Sequence, residues 1–219
     1  MIPLKDDNPT RTTPYVTVGL IAVNILVFLY MLLLPSDEGK RFLLQYSVIP
    51  DRLFGGDVFL PPGGYYTLFT SMFLHGGFLH IGGNMLFLWV FGDNIEDVLG
   101  HAKYLVFYLA CGVAAAFAHG LSNPGSTLPM LGASGAVSGV LGAYMLLFPR
   151  ARVWTFFFFL FFWQVVPVPA IFIIGLWIVI QVINGMVTAG HASGGVAWLA
   201  HVGGFLAGVV LISVMKKRF

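Results

Sequence analysis

Long uncharged apolar runs constrain this chain more than any other feature of its sequence. Several of these runs reach about 20 residues, the length that an α-helix needs to cross a bilayer. The 219 residues are 58% hydrophobic and only 9% charged, whereas a soluble domain carries about 25% charged residues. A soluble globular fold is therefore excluded, and the dispersed basic residues give no indication of nucleic-acid binding.

The apolar runs predict an all-α membrane protein, a six-transmembrane-helix bundle with a long first outer loop. We expect a cytoplasmic N-terminal tail at residues 1–13, a membrane domain at 14–215 and a basic cytoplasmic tail at 216–219. The predicted spans are residues 14–34, 77–91, 104–118, 134–148, 170–187 and 195–214. An acidic segment that starts at Asp93 is expected to end the second span.

The segment at residues 154–166 leaves the number of spans open. It is rich in phenylalanine and carries no charge, and Pro167 and Pro169 follow it. Because it is too short to cross a bilayer, we interpret it as an aromatic stretch that lies at the membrane interface. A seventh span at this position is the alternative.

Basic residues give the expected orientation in the membrane. Six spans place both termini on one side, and eight Lys and Arg residues fall on that side against three on the other. The eight are Lys5, Arg11, Lys103, Arg150, Arg152, Lys216, Lys217 and Arg218. Since Lys and Arg concentrate in cytoplasmic connections, both termini are predicted to be cytoplasmic.

Four polar side chains from three predicted spans fall near the same outer end of the bundle. His80 and Asn84 lie early in the second span and share a helix face, Ser134 opens the fourth span, and His201 lies early in the sixth. Polar groups within spans are costly in lipid and therefore indicate function by default. Their shared depth strengthens that indication.

A serine and a histidine on two closely packed helices have the arrangement of a nucleophile and its base. Small residues that permit such packing recur in both spans, at Gly135, Gly139 and Ala143 and at Ala200, Gly204 and Gly208. All nine acidic residues lie outside the predicted spans, so a dyad of Ser134 and His201 is expected rather than a triad. His80, Asn84 and the Ser134 backbone N–H would then stabilise the oxyanion.

Each of these residues also has a purely structural interpretation. Ser134 can serve helix packing, and His201 can form an interhelical hydrogen bond. His80 and Asn84 can be a structural pair or two metal ligands. A metal is disfavoured because no carboxylate or thiolate lies near and zinc catalysis usually uses three protein ligands, so neither metal nor cofactor is expected. Ser138 is expected to bond back to a backbone carbonyl.

Taken together, these residues resemble the rhomboid family of intramembrane serine proteases. The resemblance rests on His75, on His80 with Asn84, on Gly-Ala-Ser-Gly at 132–135 and on Ala-His-Val-Gly-Gly at 200–204. It covers the chain from about Pro14 onward. It implies a compact six-span member of bacterial type in the inner (plasma) membrane, with a water-accessible cavity and single-span membrane proteins as substrates.

The resemblance also implies a role for each residue. Ser134 corresponds to the nucleophile, His201 to the base, and His80 with Asn84 to the oxyanion-stabilising pair. The fifth span and the loop around His191 correspond to a lateral gate and a cap. The implied function is an endopeptidase that cleaves transmembrane segments near the outer face.

Two departures from the family pattern bear on this interpretation. The first loop has no Trp-Arg pair, and Ser138 stands where many members have a Tyr that stacks on the histidine. Another group must therefore orient His201, or the ring is held less tightly. The alternative function is a non-catalytic rhomboid-like protein that binds membrane helices in quality control. A small-solute transporter would predict internal repeats, of which the chain shows no clear example.

Overall fold

The computed structural model of the protein describes residues 1–54, 64–159, 162–188 and 198–216. In chain order its helices are α1 (Tyr15–Leu33), α2 (Ser36–Tyr46), α3 (Pro50–Phe54), α4 (Thr67–Thr70), α5 (Phe78–Leu99), α6 (His101–Ser122), α7 (Ser134–Leu147), α8 (Ala170–Thr188) and α9 (Trp198–Met215). Two short 3₁₀ helices, Gly64–Tyr66 and Ser71–Phe73, and three strands, β1 (Ile2–Asp6), β2 (Arg152–Phe159) and β3 (Phe162–Pro169), complete the described elements. The helical membrane bundle that the sequence predicts is confirmed.

Within the described part of the chain, four helices are long and apolar enough to cross a membrane, namely α1, α6, α8 and α9. A fifth candidate is α5 together with the helical turns of Gly64–Phe73, from which it is bent by 83°. The protein is therefore a multi-pass membrane protein. The count of six spans stays a prediction because α7, with 14 residues, is shorter than a full span.

The short helix α7 lies at the centre of the bundle. It is about 21 Å long at 1.5 Å per residue, less than the roughly 30 Å of a hydrocarbon core. Every residue from Gly135 to Tyr144 is buried, so neighbouring helices surround it. Ser134, the first residue of this short helix, is itself half-buried.

The acidic end of the second span departs from the prediction. The sequence predicts that the span ends at the acidic segment, but α5 continues through it to Leu99. Glu96 is fully buried there and accepts hydrogen bonds from the N–H groups of Val16 and Thr17 at 2.9 and 2.8 Å. The first N–H groups of a helix lack intrahelical partners, so the start of α1 stabilises this carboxylate inside the bundle.

A three-stranded antiparallel sheet with the order β1-β2-β3 lies at the end of α7 that is remote from Ser134. Ile2 pairs with Phe156 and Asp6 with Val153, while Tyr144 near the end of α7 donates a hydrogen bond to Asp6. The predicted N-terminal tail is thus partly a β-strand, and the described parts of the aromatic stretch, residues 154–159 and 162–166, pair as antiparallel strands. Aromatic and β-branched residues favour this conformation, and the two prolines lie on an edge strand.

Candidate active site

Ser134 occupies the first position of α7, directly after a sharp turn of the chain. Gly132 makes this turn with a φ of +120°, a backbone conformation that residues other than glycine rarely adopt. Its N–H donates to the Ser71 carbonyl at 2.9 Å, which ties the turn to the segment before α5. The Ser134 hydroxyl is thereby presented at the start of a helix, where backbone N–H groups lack intrahelical partners.

The small residues of α7 and α9 bring His201 to Ser134. A Cβ at Gly204 would overlap the carbonyl of Gly135, and a Cβ at Gly208 would overlap that of Gly139. The two helices therefore pack backbone against backbone, as the small-residue rows predict. His201 is buried at 7% exposure, and its Nε2 lies 2.8 Å from Ser134 Oγ.

His80 and Asn84 reach the same turn from α5. A Cβ built on Gly132 would lie 2.6 Å from His80 Nε2 and 3.6 Å from Asn84 Nδ2. The two nitrogens therefore converge on a point beside the backbone two residues before Ser134. Asn84 Nδ2 also lies 2.9 Å from Nε2 of the buried His75, which holds the amide in this direction. All four predicted site residues are thus brought together.

Gln181 is a site residue that the sequence reasoning missed. It lies on α8 at 5% exposure, and its Oε1 is 2.6 Å from His201 Nδ1. Gln181 is therefore a group that can orient His201 in a chain that has Ser138 in place of the stacking Tyr. The Ser138 hydroxyl donates to the Ser134 carbonyl at 2.5 Å, as predicted. The signal that could have found Gln181 is an amide inside an otherwise apolar span.

Two tryptophans pack on the other sides of the histidine ring. The Trp177 ring centroid lies 5.7 Å from that of His201 in a tilted arrangement, and the Trp198 centroid lies 6.3 Å away, edge to face. These contacts restrict the plane of the ring. The predicted cap around His191 lies outside the described residues.

The site opens into a cavity of about 930 Å³. Its lining includes Ser134, His201, His80, Asn84 and Gln181, together with apolar side chains from the central helices. Among the described residues that line it there is no Asp or Glu, and the described partner of His201 Nδ1 is the Gln181 amide. A hydroxyl and an imidazole in contact, beside two nitrogen donors, are the parts that acyl transfer requires.

The fold and the site together define a class of protein. It is a multi-pass helical membrane protein with a serine–histidine pair in a cavity near one end of the bundle. The family model described as the rhomboid domain matches residues 62–218. The chain belongs to the rhomboid family.

Individual relatives agree with this assignment. The chain is 30% identical over 199 residues to Rhomboid protein 1, mitochondrial, of Saccharomyces cerevisiae, a match that covers 88% of this chain and 51% of the yeast protein. It is 30% identical to Rhomboid protease GluP of Bacillus subtilis over 60% of this chain and 24% of that protein. Rhomboid-type serine protease 2 of Emericella nidulans is 32% identical over 51% of this chain and 22% of its own length. The chain spans about half or less of the length of these relatives.

Proposed function

We propose that the protein is an intramembrane serine endopeptidase in which Ser134 is the nucleophile and His201 the general base. The observation that carries the proposal is the 2.8 Å contact between Ser134 Oγ and His201 Nε2 inside a cavity of the membrane bundle. This distance is within hydrogen-bond reach, as a nucleophile and its base require. Membership of a family with relatives named as proteases supports the same function.

The reaction begins when Ser134 Oγ attacks the carbonyl carbon of the scissile peptide and its proton passes to His201 Nε2. The resulting imidazolium then donates that proton to the departing amine, which leaves an acyl group on Ser134. A water molecule, deprotonated by His201 in the same way, attacks the acyl carbon, and His201 returns that proton to Ser134 Oγ as the second product leaves. One neutral imidazole thus serves both half-reactions.

His80 Nε2 and Asn84 Nδ2 are positioned to donate hydrogen bonds to the oxyanion of the tetrahedral intermediate. Both nitrogens point at the Gly132 turn, and the N–H of Ser134 lies at the start of α7. Donors that are held in place before the reaction stabilise the developing charge without a reorganisation cost. The bond between Asn84 and His75 supplies that preorganisation on one side.

The substrates under this proposal are transmembrane segments of other membrane proteins. The cavity lies at the end of α7 remote from the sheet that contains the N-terminal strand. With both termini cytoplasmic in the inner (plasma) membrane, the site lies toward the outer face, and a substrate helix enters past α8. The membrane domain at 14–215, flanked by the tails 1–13 and 216–219, is the unit that carries this activity.

The test is cleavage of a single-span reporter by the purified protein in liposomes. We expect Ser134→Ala and His201→Ala to lose cleavage, since removal of either member of such a pair costs roughly 10⁶-fold in kcat. Ser213→Ala is the matched control, because this serine is exposed on α9 and donates only to the Val209 carbonyl of its own helix. If wild type binds the reporter without cutting it, the protein is instead a non-catalytic binder of membrane helices.

A further inference from the structure

The bond between Gln181 and His201 joins two helices through buried polar groups. Gln181 extends from α8 and His201 from α9, and both side chains are less than a tenth exposed. Oε1 of the amide lies 2.6 Å from Nδ1 of the imidazole. Because polar groups buried in a membrane protein need partners, this contact is expected to be occupied continuously.

A second hydrogen bond fixes which way round the Gln181 amide lies. Its Nε2 donates to the Trp177 carbonyl, one turn earlier on α8, at 3.3 Å. A backbone carbonyl only accepts, so the NH₂ group must face Trp177 and the oxygen must face His201. Because the Trp177 carbonyl can only accept a hydrogen bond, it fixes the orientation of the Gln181 amide.

The amide orientation in turn determines the tautomer of the histidine. Oε1 can only accept, so His201 Nδ1 must carry the hydrogen. In the neutral ring Nε2 then has a lone pair, and this atom faces Ser134 Oγ at 2.8 Å. The serine hydroxyl consequently donates to the histidine, which is the direction that general-base catalysis requires.

We propose that Gln181 is a positioning residue that sets the tautomer and the orientation of His201. This inference rests on the proposed function, because it concerns how the base of that reaction is held. The amide takes the place that a carboxylate has in a Ser-His-Asp triad, in a cavity whose described lining has no carboxylate. A neutral amide supplies the acceptor without placing a charge inside the membrane.

The tryptophans do not make Gln181 redundant. Trp177 and Trp198 restrict the plane of the ring, but their contacts to His201 are ring to ring. Without the amide, Nδ1 loses the acceptor that it contacts in the structure, and the hydrogen can move to Nε2. That tautomer would donate to Ser134 and could not accept its proton, a fault that costs about 10⁴-fold in a triad enzyme.

The experiment compares Gln181→Leu, which removes the acceptor, with Gln181→Glu, which keeps an acceptor oxygen in either protonation state. We expect Gln181→Leu to lower kcat by about 10- to 100-fold with little change in KM, as the loss of an orienting partner does at metal-bound histidines. Gln181→Glu should recover part of the rate. Ile174→Ala is the control, because Ile174 is fully buried on the same helix two turns away, and its truncation is expected to lower stability without changing the tautomer of His201.

A second readout does not depend on activity. In ¹⁵N spectra of histidine-labelled protein, the His201 signals are identified by their loss in His201→Ala. We expect wild type and Gln181→Glu to carry the hydrogen on Nδ1 and Gln181→Leu to show a mixture of tautomers. If Gln181→Leu does not fold, Gln181→Met replaces the carbonyl acceptor with a thioether, a much weaker acceptor, on a side chain of closer length.

The outcomes separate this inference from the proposed function. One outcome is that Gln181→Leu keeps the wild-type kcat and tautomer while Ser134→Ala is inactive. That result would overturn the role of Gln181 and leave the proposed protease function unaffected. Cleavage by Ser134→Ala and His201→Ala would overturn the protease, whereas the tautomer measurement would still report on the bond. Loss of stability with an unchanged tautomer would reduce Gln181 to a structural link between α8 and α9.

Discussion

Gly208 on α9 lies directly against the backbone carbonyl of Gly139 on α7, so close that a Cβ at position 208 would overlap that oxygen. One turn nearer the cavity, Gly204 has the same relationship to Gly135. These contacts set the separation of the two helices, and the 2.8 Å contact between His201 and Ser134 depends on it. These glycines take no part in the reaction, but they determine whether His201 can reach Ser134.

Gly208→Ala tests this link. The added methyl group must push α9 away from α7, and overpacking of this kind costs about 1–3 kcal/mol of stability. We expect a lower Tm in detergent and slower cleavage. Gly175→Ala on α8 is the matched control, because a Cβ there has no neighbour within 4 Å and alanine favours a helix. A Gly208→Ala protein as stable and active as wild type would show that the helices are not held at contact distance.

Asn84→Ala tests the proposed oxyanion site. Removal of one oxyanion donor costs about 10²–10³-fold in kcat, and KM should change little because the charge develops only in the transition state. Asn94→Ala is the control, since that amide lies toward the other end of α5 and donates to the Asn8 carbonyl. Equal kinetics for wild type and Asn84→Ala would assign Asn84 a structural role as the partner of His75.

A disulfide between α8 and α9 tests whether substrates enter past α8. A Cβ at Gly185 would lie 3.4 Å from the Cβ of Trp198, close to the 3.5–4.5 Å that a disulfide needs. We expect the oxidised double variant Gly185→Cys/Trp198→Cys to lose cleavage of a membrane-embedded reporter. On reduction it should regain the rate of the slower single cysteine variant, since Trp198 also packs on the His201 ring. The native Cys111 is buried and should not interfere.

Two controls accompany this experiment. Each single cysteine variant reports the cost of its own substitution, and labelling by a small serine-reactive probe reports whether the dyad is intact in the locked state. Continued cleavage by the fully oxidised protein would mean that α8 need not move away from α9 for the substrate to reach Ser134.

We expect stability to depend on pH through Asp6, the last residue of β1. Burial raises the pKa of this carboxyl group above its usual value, and the hydrogen bond from Tyr144 offsets the effect only in part. A raised folded-state pKa means that the contribution of Asp6 to stability is present at low pH and is lost as the pH rises through that pKa. Asp6→Asn stays neutral and keeps an acceptor oxygen for Tyr144.

We therefore expect the difference in Tm between Asp6→Asn and wild type to increase in favour of Asp6→Asn as the pH rises from about 4 to about 8. Tyr144→Phe should make the pH dependence of the Asp6 protein steeper, because it removes a hydrogen bond that lowers the pKa of Asp6. A Tm difference between wild type and Asp6→Asn that is constant across this range would contradict the assignment.

The sequence alone predicts the bundle and the meeting of Ser134 with His201, because span order, small-residue rows and basic loops are local signals. Gln181 is different, since nothing near it in the chain indicates its partner. Its importance follows only from the placement of α8 against α9, which brings Oε1 to His201 Nδ1. Searching the spans for amides as well as for histidines would have selected it.

The sheet could not be predicted for a related reason. Strands β1 and β2 come from distant parts of the chain, and an uncharged aromatic run fits a buried strand or a membrane segment equally well by composition. The continuation of α5 to Leu99 likewise depends on a distant contact, because Glu96 is stabilised by the start of α1. In each case a partner remote in sequence decides the local structure.

The most direct test of the account is to map the residue modified by a fluorophosphonate probe in the folded protein. Mass spectrometry of the digested protein should place the probe on Ser134 alone, with labelling lost in Ser134→Ala and strongly reduced in His201→Ala, while Ser213→Ala labels as wild type does. Folded protein that is not labelled, or a probe attached to another serine with Ser134 unmodified, would contradict the Ser134–His201 dyad.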